Sequence, residues 1–227
     1  MLNHTLFFDL DDTLYPKSNG LWNAIRDRMH GYMSQIVGLP AEEIEALRQH
    51  YLETYGTTLR GLQIHYQIDT DEYLDQVHNL PLSQFILPDP TLGKLLATLP
   101  QRKFIFTNAD INHARRVLTI LDLEHCFDQI IDIRALGFIC KPDPNAYHLA
   151  MEIAGVKNPE QCILFDDAPR NLYPARKQGW YTVLVGDQHP DSAAHQNINS
   201  LHELPQAMPQ LWNQHQNVLQ ITDVFNE

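Results

Sequence analysis

Five short apolar runs punctuate the chain, at 5–8, 103–106, 129–133, 162–165 and 181–185, each bounded by polar or turn residues. Runs that are apolar at successive rather than alternate positions suit strands covered on both faces, as in a parallel sheet. Between the later runs the spacing changes to that of a helix. Leu92, Leu95, Leu96 and Leu99 follow Asp89-Pro90, and Ala114, Val117, Leu118 and Leu121 follow Asp110. Asp143-Pro144 opens a segment that stops at Gly155, and 168–178 runs up to Gly179. Aspartate as N-cap, proline in the first turn and glycine after the last are the ordinary helix boundaries. Strands alternating with helices predict βαβ units with right-handed crossovers, hence an α/β fold with a Rossmann-like parallel sheet core.

One stretch breaks the alternation. Residues 17–88 contain no strand pattern but show helical spacing over 21–37, 41–55 and 70–80. That is too much chain for a loop, so it reads as an inserted α-helical cap domain (17–88) over one end of a catalytic core built from 1–16 and 89–227. Past Gly186, residues 187–197 read as loop and 201–212 as a helix, while the last dozen residues carry no pattern.

Charge narrows the partners. Sixteen basic and 28 acidic residues give a formal charge of −12, which disfavours a nucleic acid polymer or an anionic membrane surface. Net charge says little about a small charged metabolite, which meets only its site. The apolar runs are too short to span a bilayer. Met1 to Thr5 lacks the basic start of a secretory signal, and Cys126, Cys140 and Cys162 form no Cys-x-x-Cys pair. A cytoplasmic protein with reduced, buried thiols is expected. The twelve histidines show no metal-ligand spacing. The sequence does not specify an oligomeric state.

Open parallel sheets bind ligands at the carboxyl ends of their strands. Asp9 and Asp11 follow the first run, Thr107 and Asn108 the second, and Asp166 and Asp167 the fourth; Lys141 precedes the helix opened by Asp143. Asp9 and Asp11 are two apart, which sends both carboxylates to one side and Leu10 to the other. With Asp167 they make an oxygen-rich, incomplete shell of the kind Mg2+ accepts when water and a substrate phosphate complete it. Taken alone, such a pair is as readily a set of loop caps.

The ordered set is more specific. Phe8-Asp9-Leu10-Asp11-Asp12-Thr13-Leu14, Phe106-Thr107-Asn108, Lys141-Pro142 and Phe165-Asp166-Asp167 resemble the four motifs of the haloacid dehalogenase superfamily, over about residues 5–186. The resemblance implies a Rossmann-like core with a cap between the first two motifs. It also implies a phosphohydrolase in which Asp9 attacks phosphorus and Asp11 serves as general acid and base. Thr107 and amides near Asn108 would hold the phosphoryl group, and Lys141 would neutralise it. Asp9, Asp167 and the Asp11 main-chain carbonyl would hold Mg2+, with Asp166 auxiliary. Asp11 favours phosphate chemistry, because the dehalogenase branch, whose halide needs no proton, lacks it.

The neighbourhoods of the motifs, including Tyr55-Gly56-Thr57-Thr58-Leu59-Arg60-Gly61-Leu62 and Phe106-Thr107-Asn108-Ala109-Asp110 with His113, are similar to the pyrimidine 5′-nucleotidase group. The implied substrates are nucleoside monophosphates. Arg60 is the candidate substrate contact from the cap, weighed against a surface cation. His113 reads as local packing in preference to a site contact, and Tyr15 and Trp22 read as packing aromatics. A phosphosugar phosphatase or mutase on the same scaffold and a catalytically retired binding protein are the alternatives.

Overall fold

A computed structural model describes residues 3–187, 189 and 193–212. Its centre is a six-stranded sheet in the order β3-β2-β1-β4-β5-β6, parallel at every pairing. The strands are β1 (Thr5–Phe8), β2 (Arg102–Phe106), β3 (Gln129–Ile131), β4 (Cys162–Asp166), β5 (Tyr181–Val185) and β6 (Gln196–Ile198). Successive side chains of β1 and β4 alternate between two faces and all are buried, which explains why these strands read as unbroken apolar runs. One face carries Leu6, Phe8, Ile163 and Phe165, and the other Phe7, Phe104, Phe106 and Leu164. The second closes around Trp180, whose ring centroid lies 4.7 Å from that of Phe7.

Helices α5 (Pro90–Ala97), α6 (Ile111–Leu121), α7 (Pro144–Ala154) and α8 (Pro169–Lys177) connect the strands. Asp89, Asp110 and Asp143 cap the first three through their side chains, as their spacing predicts. Between β1 and α5 lie α1 (Leu21–Gln35), α2 (Ala41–Tyr55), α3 (Thr58–Tyr66) and α4 (Thr70–His78). These four pack around Tyr32, Met33, Ile44, Tyr51, Leu62, Tyr73 and Leu74. The ends of the insert belong elsewhere. Leu21 and Ile25 at its start, and Leu80, Leu82 and Ile86 at its end, join the apolar layer of the sheet, which ties the helical unit to the core at both crossings.

Several elements differ from the sequence pattern. Helix α3 is short and carries Gly61, so its periodicity is hard to see; a Cβ there would fall 2.1 Å from the Tyr51 ring, and the glycine permits α2 and α3 to touch. The 187–197 loop ends in β6, a three-residue edge strand legible only through its pairing with β5. Residues 129–133 extend for only three, because Asp132 turns its carboxylate to the amides of Ile111 and Ala135. The helix expected over 201–212 is broken into a 3-10 turn, a four-residue helix α9 (Leu204–Ala207) and a second 3-10 turn. Pro205 and Pro209 each remove an amide donor there. The patternless C-terminal dozen lies outside the described residues. Among the described residues no helix is long and apolar enough to cross a membrane.

Candidate active site

Strand β1 is central, with β2 on one side and β4 on the other, in a register that places Phe8 opposite both Ile105 and Phe165. The residues just past these strand ends therefore converge. Asp9 is tied to its neighbour by its amide, which donates to the Phe165 carbonyl at 2.8 Å. The chain then turns sharply through Asp12, in the left-handed region at φ 62°, and leaves Asp9 and Asp11 at the sheet edge.

Lys141 lies at the centre of the cluster, fully buried. Its Nζ donates to Asp9 Oδ1 at 2.8 Å, Asp166 Oδ2 at 2.7 Å and the Phe106 carbonyl at 2.8 Å, which uses all three ammonium protons. Burial works against its charge, but Asp166 and Asp9 outweigh that and hold its pKa above the ordinary lysine value. Asn108 fixes the lysine's main chain in both directions, donating to the Lys141 carbonyl and accepting from its amide. The side chain of Asn108 is thus a brace for the lysine loop. Buried Thr107 accepts the Ala109 amide at 3.0 Å and gives its own proton to no group among the described residues.

The acids carry more negative charge than one lysine can balance. Asp9, Asp166 and Asp167 each offer an oxygen within 4.8 Å of the others. Burial, with the charge of Asp166 added and that of Lys141 opposing, pushes Asp9 up to about 7. Burial and the neighbouring Asp166 and Asp9 push Asp167 up to about 8. An all-oxygen set with this excess of negative charge fits a divalent cation such as Mg2+. Within it the two adjacent aspartates differ. Asp166 accepts from Lys141, from Asn171 at both oxygens and from the Ala168 amide, so it organises the lysine; Asp167 accepts from no described residue. Asp9 and Asp167 are therefore the side chains that could hold such a cation, with Asp166 behind them.

These shifts carry a sign. A carboxylic acid whose pKa is raised on folding binds more protons in the folded than in the unfolded chain, so stability falls as pH rises from its unfolded to its folded value. For Asp9 and Asp167 that window runs from 3.8 to about 7 and about 8. A cation that binds the ionised pair should thus raise the melting temperature more at pH 8 than at pH 6. Melts with and without Mg2+ at the two pH values check this, and equal shifts would count against the assigned shell.

Asp11 is held differently. Its Oδ1 accepts from the Tyr15 hydroxyl and lies 2.8 Å from His113 Nε2, a fully buried ring. Burial raises its pKa, but His113 and Tyr15 more than offset this and leave it below the usual carboxylate value. Both residues thus have a site contact beyond the packing expected of them. The sequence signal for His113 was its place in the first turn after Asp110, whose side chain caps its amide at 2.8 Å.

Over the cluster lies a cleft of about 260 Å³, whose floor includes Asp9, Asp11, Thr107, Asn108 and Asp167. The helical insert supplies Trp22, Ile25, Met29, Arg48, Leu59, Tyr73, Leu74, Val77 and His78. Arg60 is not among these residues. It is exposed, and its guanidinium donates along the helix to Gln63 at 3.3 Å. Of the cations that line the cleft, Lys17, Arg48 and Arg170, Arg48 is the buried one; Tyr73 lines it too, and its buried hydroxyl has no hydrogen-bond partner among the described residues. Sequence reasoning missed both, because a helical Arg and Tyr inside an amphipathic insert carry no mark of their direction.

Residues 4–179 match the haloacid dehalogenase-like hydrolase family. The chain is 31% identical over 194 residues to phosphate metabolism protein 8 of Saccharomyces cerevisiae, covering 78% of this chain and 60% of the yeast protein. It thus spans under two thirds of that relative's length. An HAD phosphatase from Thermococcus onnurineus shares the fold with a TM-score of 0.60 and 20% identity, over 89% of this chain and 96% of that one. So does L-2-haloacid dehalogenase from Xanthobacter autotrophicus, with a TM-score of 0.57 and 16% identity over 89% and 97%. The fold is thus common to both chemistries. By the family match over most of its length, and with the four ordered motifs gathered at one end of the sheet, the chain belongs to the haloacid dehalogenase-like hydrolases.

Proposed function

We propose that the protein is a Mg2+-dependent phosphomonoesterase that acts on nucleoside 5′-monophosphates through an aspartyl-phosphate. The observation that carries the phosphatase reading is Asp11: a second carboxylate shares the cleft with the nucleophile, and its Oδ2 accepts from no described residue. Asp9 forms a bond to phosphorus as the ester P–O bond breaks; Asp11, ionised in the free protein, takes up a proton beside the bound phosphate and gives it to the departing oxygen. Water then attacks phosphorus while Asp11 takes back a proton, which frees Asp9 and inorganic phosphate. Lys141 orients Asp9 and, with the Thr107 hydroxyl, offsets charge on the transferring group. Asp9 and Asp167 would hold Mg2+, which would supply positive charge to offset that on the transferring phosphoryl group.

The nucleotide reading rests on the cap wall. It is mainly apolar, carries the rings of Trp22 and Tyr73, and includes the buried Arg48 and the Tyr73 hydroxyl, which has no partner among the described residues. An apolar wall with aromatic rings suits a flat group such as a pyrimidine base better than a polyhydroxylated sugar, whose every hydroxyl must be matched when it leaves water. The three cysteines are free and buried, in keeping with a reducing, cytoplasmic address.

Phosphate release from a panel of nucleotides and sugar phosphates, with Mg2+ and without an activating bisphosphate, tests both levels. UMP and CMP should lead the panel, and EDTA should silence the activity. A flat profile would withdraw the nucleotide assignment, and no release from any ester would withdraw the phosphatase assignment.

A further inference from the structure

The proton-transferring residue sits in a larger assembly that spans the two parts of the molecule. His113 Nε2 lies 2.8 Å from Asp11 Oδ1, and the ring of His78, at the C-terminus of α4 in the insert, stacks on His113 with centroids 4.2 Å apart. His78 Nδ1 is in turn 3.1 Å from Asp110 Oδ2, and Asp110 Oδ1 caps the His113 amide. Arg116, one turn further along α6, donates to the main-chain carbonyls of His78 and Leu80. The end of α4 is thus latched onto the first turns of α6.

We propose that His113, held by His78 of the insert, is a positioning residue that fixes Asp11 so that only its Oδ2 faces the leaving group. Tyr15 and His113 both occupy Oδ1, and Oδ2 has no partner among the described residues. A carboxylic acid with one oxygen occupied by two donors carries its transferable proton on the other. The rotamer of Asp11 and the identity of its acidic oxygen are therefore set together. The atom balance is that of ordinary ester cleavage: the Asp11 Oδ2–H bond breaks as the new O–H bond forms on the alcohol, while phosphorus passes from the ester oxygen to Asp9. Since His78 reaches His113 from the insert, the insert must be seated for the acid to be aligned.

The inference rests on the phosphatase reading and has its own test. Positioning of a general acid matters in proportion to the need for a proton, so it must show in kcat/KM, which reports phosphoryl transfer to Asp9 and not the later hydrolysis. His113→Leu should lower kcat/KM for a nucleoside monophosphate or another alkyl phosphate roughly 30-fold or more, out of the ~10²–10⁴ available from general acid catalysis. For p-nitrophenyl phosphate, whose leaving group departs without a proton, the loss should stay within roughly threefold. His113→Gln, whose amide can again donate to Asp11, should recover most of the alkyl phosphate activity. Tyr15→Phe removes the other donor to Oδ1 without touching the latch, and should show the same selective loss to a smaller degree. His78→Phe keeps the stack but not the bond to Asp110, and is expected to show it as well.

Equal losses on both ester types, or none, in His113→Leu and Tyr15→Phe would overturn the proposal while leaving the phosphatase reading in place. Failure of the unaltered protein to cleave either ester would instead remove that reading. Tyr15→Phe keeps the proposal testable if His113→Leu does not fold.

Discussion

Asp9→Asn is expected to abolish turnover, by at least about 10⁴-fold, while leaving the fold intact or more stable at pH 8. The loss follows from chemistry: an amide oxygen does not displace an alkoxide at phosphorus, and when a nucleophile is removed the remaining site recovers only a small part of the rate. The stability follows from electrostatics. Burial raises Asp9 to about 7, so above that pH the folded chain carries an ionised acid in a place that disfavours it. Asparagine is nearly the same shape and needs no ionisation, and Lys141 keeps Asp166 and the Phe106 carbonyl as partners. Phosphate release and a thermal melt at pH 8 check the two halves. Activity near that of the unaltered protein would remove Asp9 from the role of nucleophile. A large drop in melting temperature would instead show that Asp9 is needed to hold Lys141.

Lys141→Met should have the second largest effect, with the opposite balance between activity and stability. The side chain is fully buried, with both charged partners in contact. Removing one member of a buried ion pair leaves uncompensated charge and costs about 3–5 kcal/mol. Here two carboxylates lose their common cation, so the lower end of that range is the minimum expected. Some of the loss returns on acidification, because Asp9, which burial already raises to about 7, then takes up a proton. Activity should fall by about 10³-fold, in keeping with the removal of one fixed charge from a phosphoryl-transfer site. Urea unfolding at pH 6 and pH 8, beside phosphate release, measures both. A variant as stable as the parent at pH 8 would mean that the acids are neutral in the folded protein without the lysine. The two variants separate roles that a deletion of activity alone would merge: in the proposed mechanism Asp9 does chemistry at a cost in stability, and Lys141 makes that burial tolerable.

Much of this site was legible in the chain because strands buried on both faces leave a local mark. The runs ending at Phe8, Phe106 and Phe165 identify themselves, and the polar residues after them must lie at one edge if the strands are parallel. Asp9, Asp11, Thr107, Asn108, Asp166 and Asp167 follow from that rule. Lys141 precedes a helix with no strand before it, and was found only through the order of the motifs. The capping aspartates were equally local, since a cap acts over three residues.

The insert was less legible. Its longer helices could be read from spacing, but the short α3 was lost, and so was the direction of every polar side chain within it. Arg60 follows the Thr57 cap closely enough to suggest a site, yet its guanidinium runs along its own helix. Arg48 and Tyr73 look like ordinary members of amphipathic helices, and only the packing of α1, α2 and α4 turns them to the cleft.

The sequence by itself determined the α/β class, the place of the helical insert and the identity of the acidic cluster, because β-strand burial, helix capping and motif order are properties of neighbouring residues. Tertiary structure alone decided which partner each acid takes. Asp166 and Asp167 are adjacent in the chain and alike in chemistry, yet one is saturated by Lys141 and Asn171 while the other accepts from no described residue. Asp11 meets His113 across 102 positions, and His78 meets Asp110 across 32. Hydrogen bonds and charge pairing act through space over a few ångströms, and contacts between residues so far apart in the chain exist only once the sheet and the insert have closed on each other.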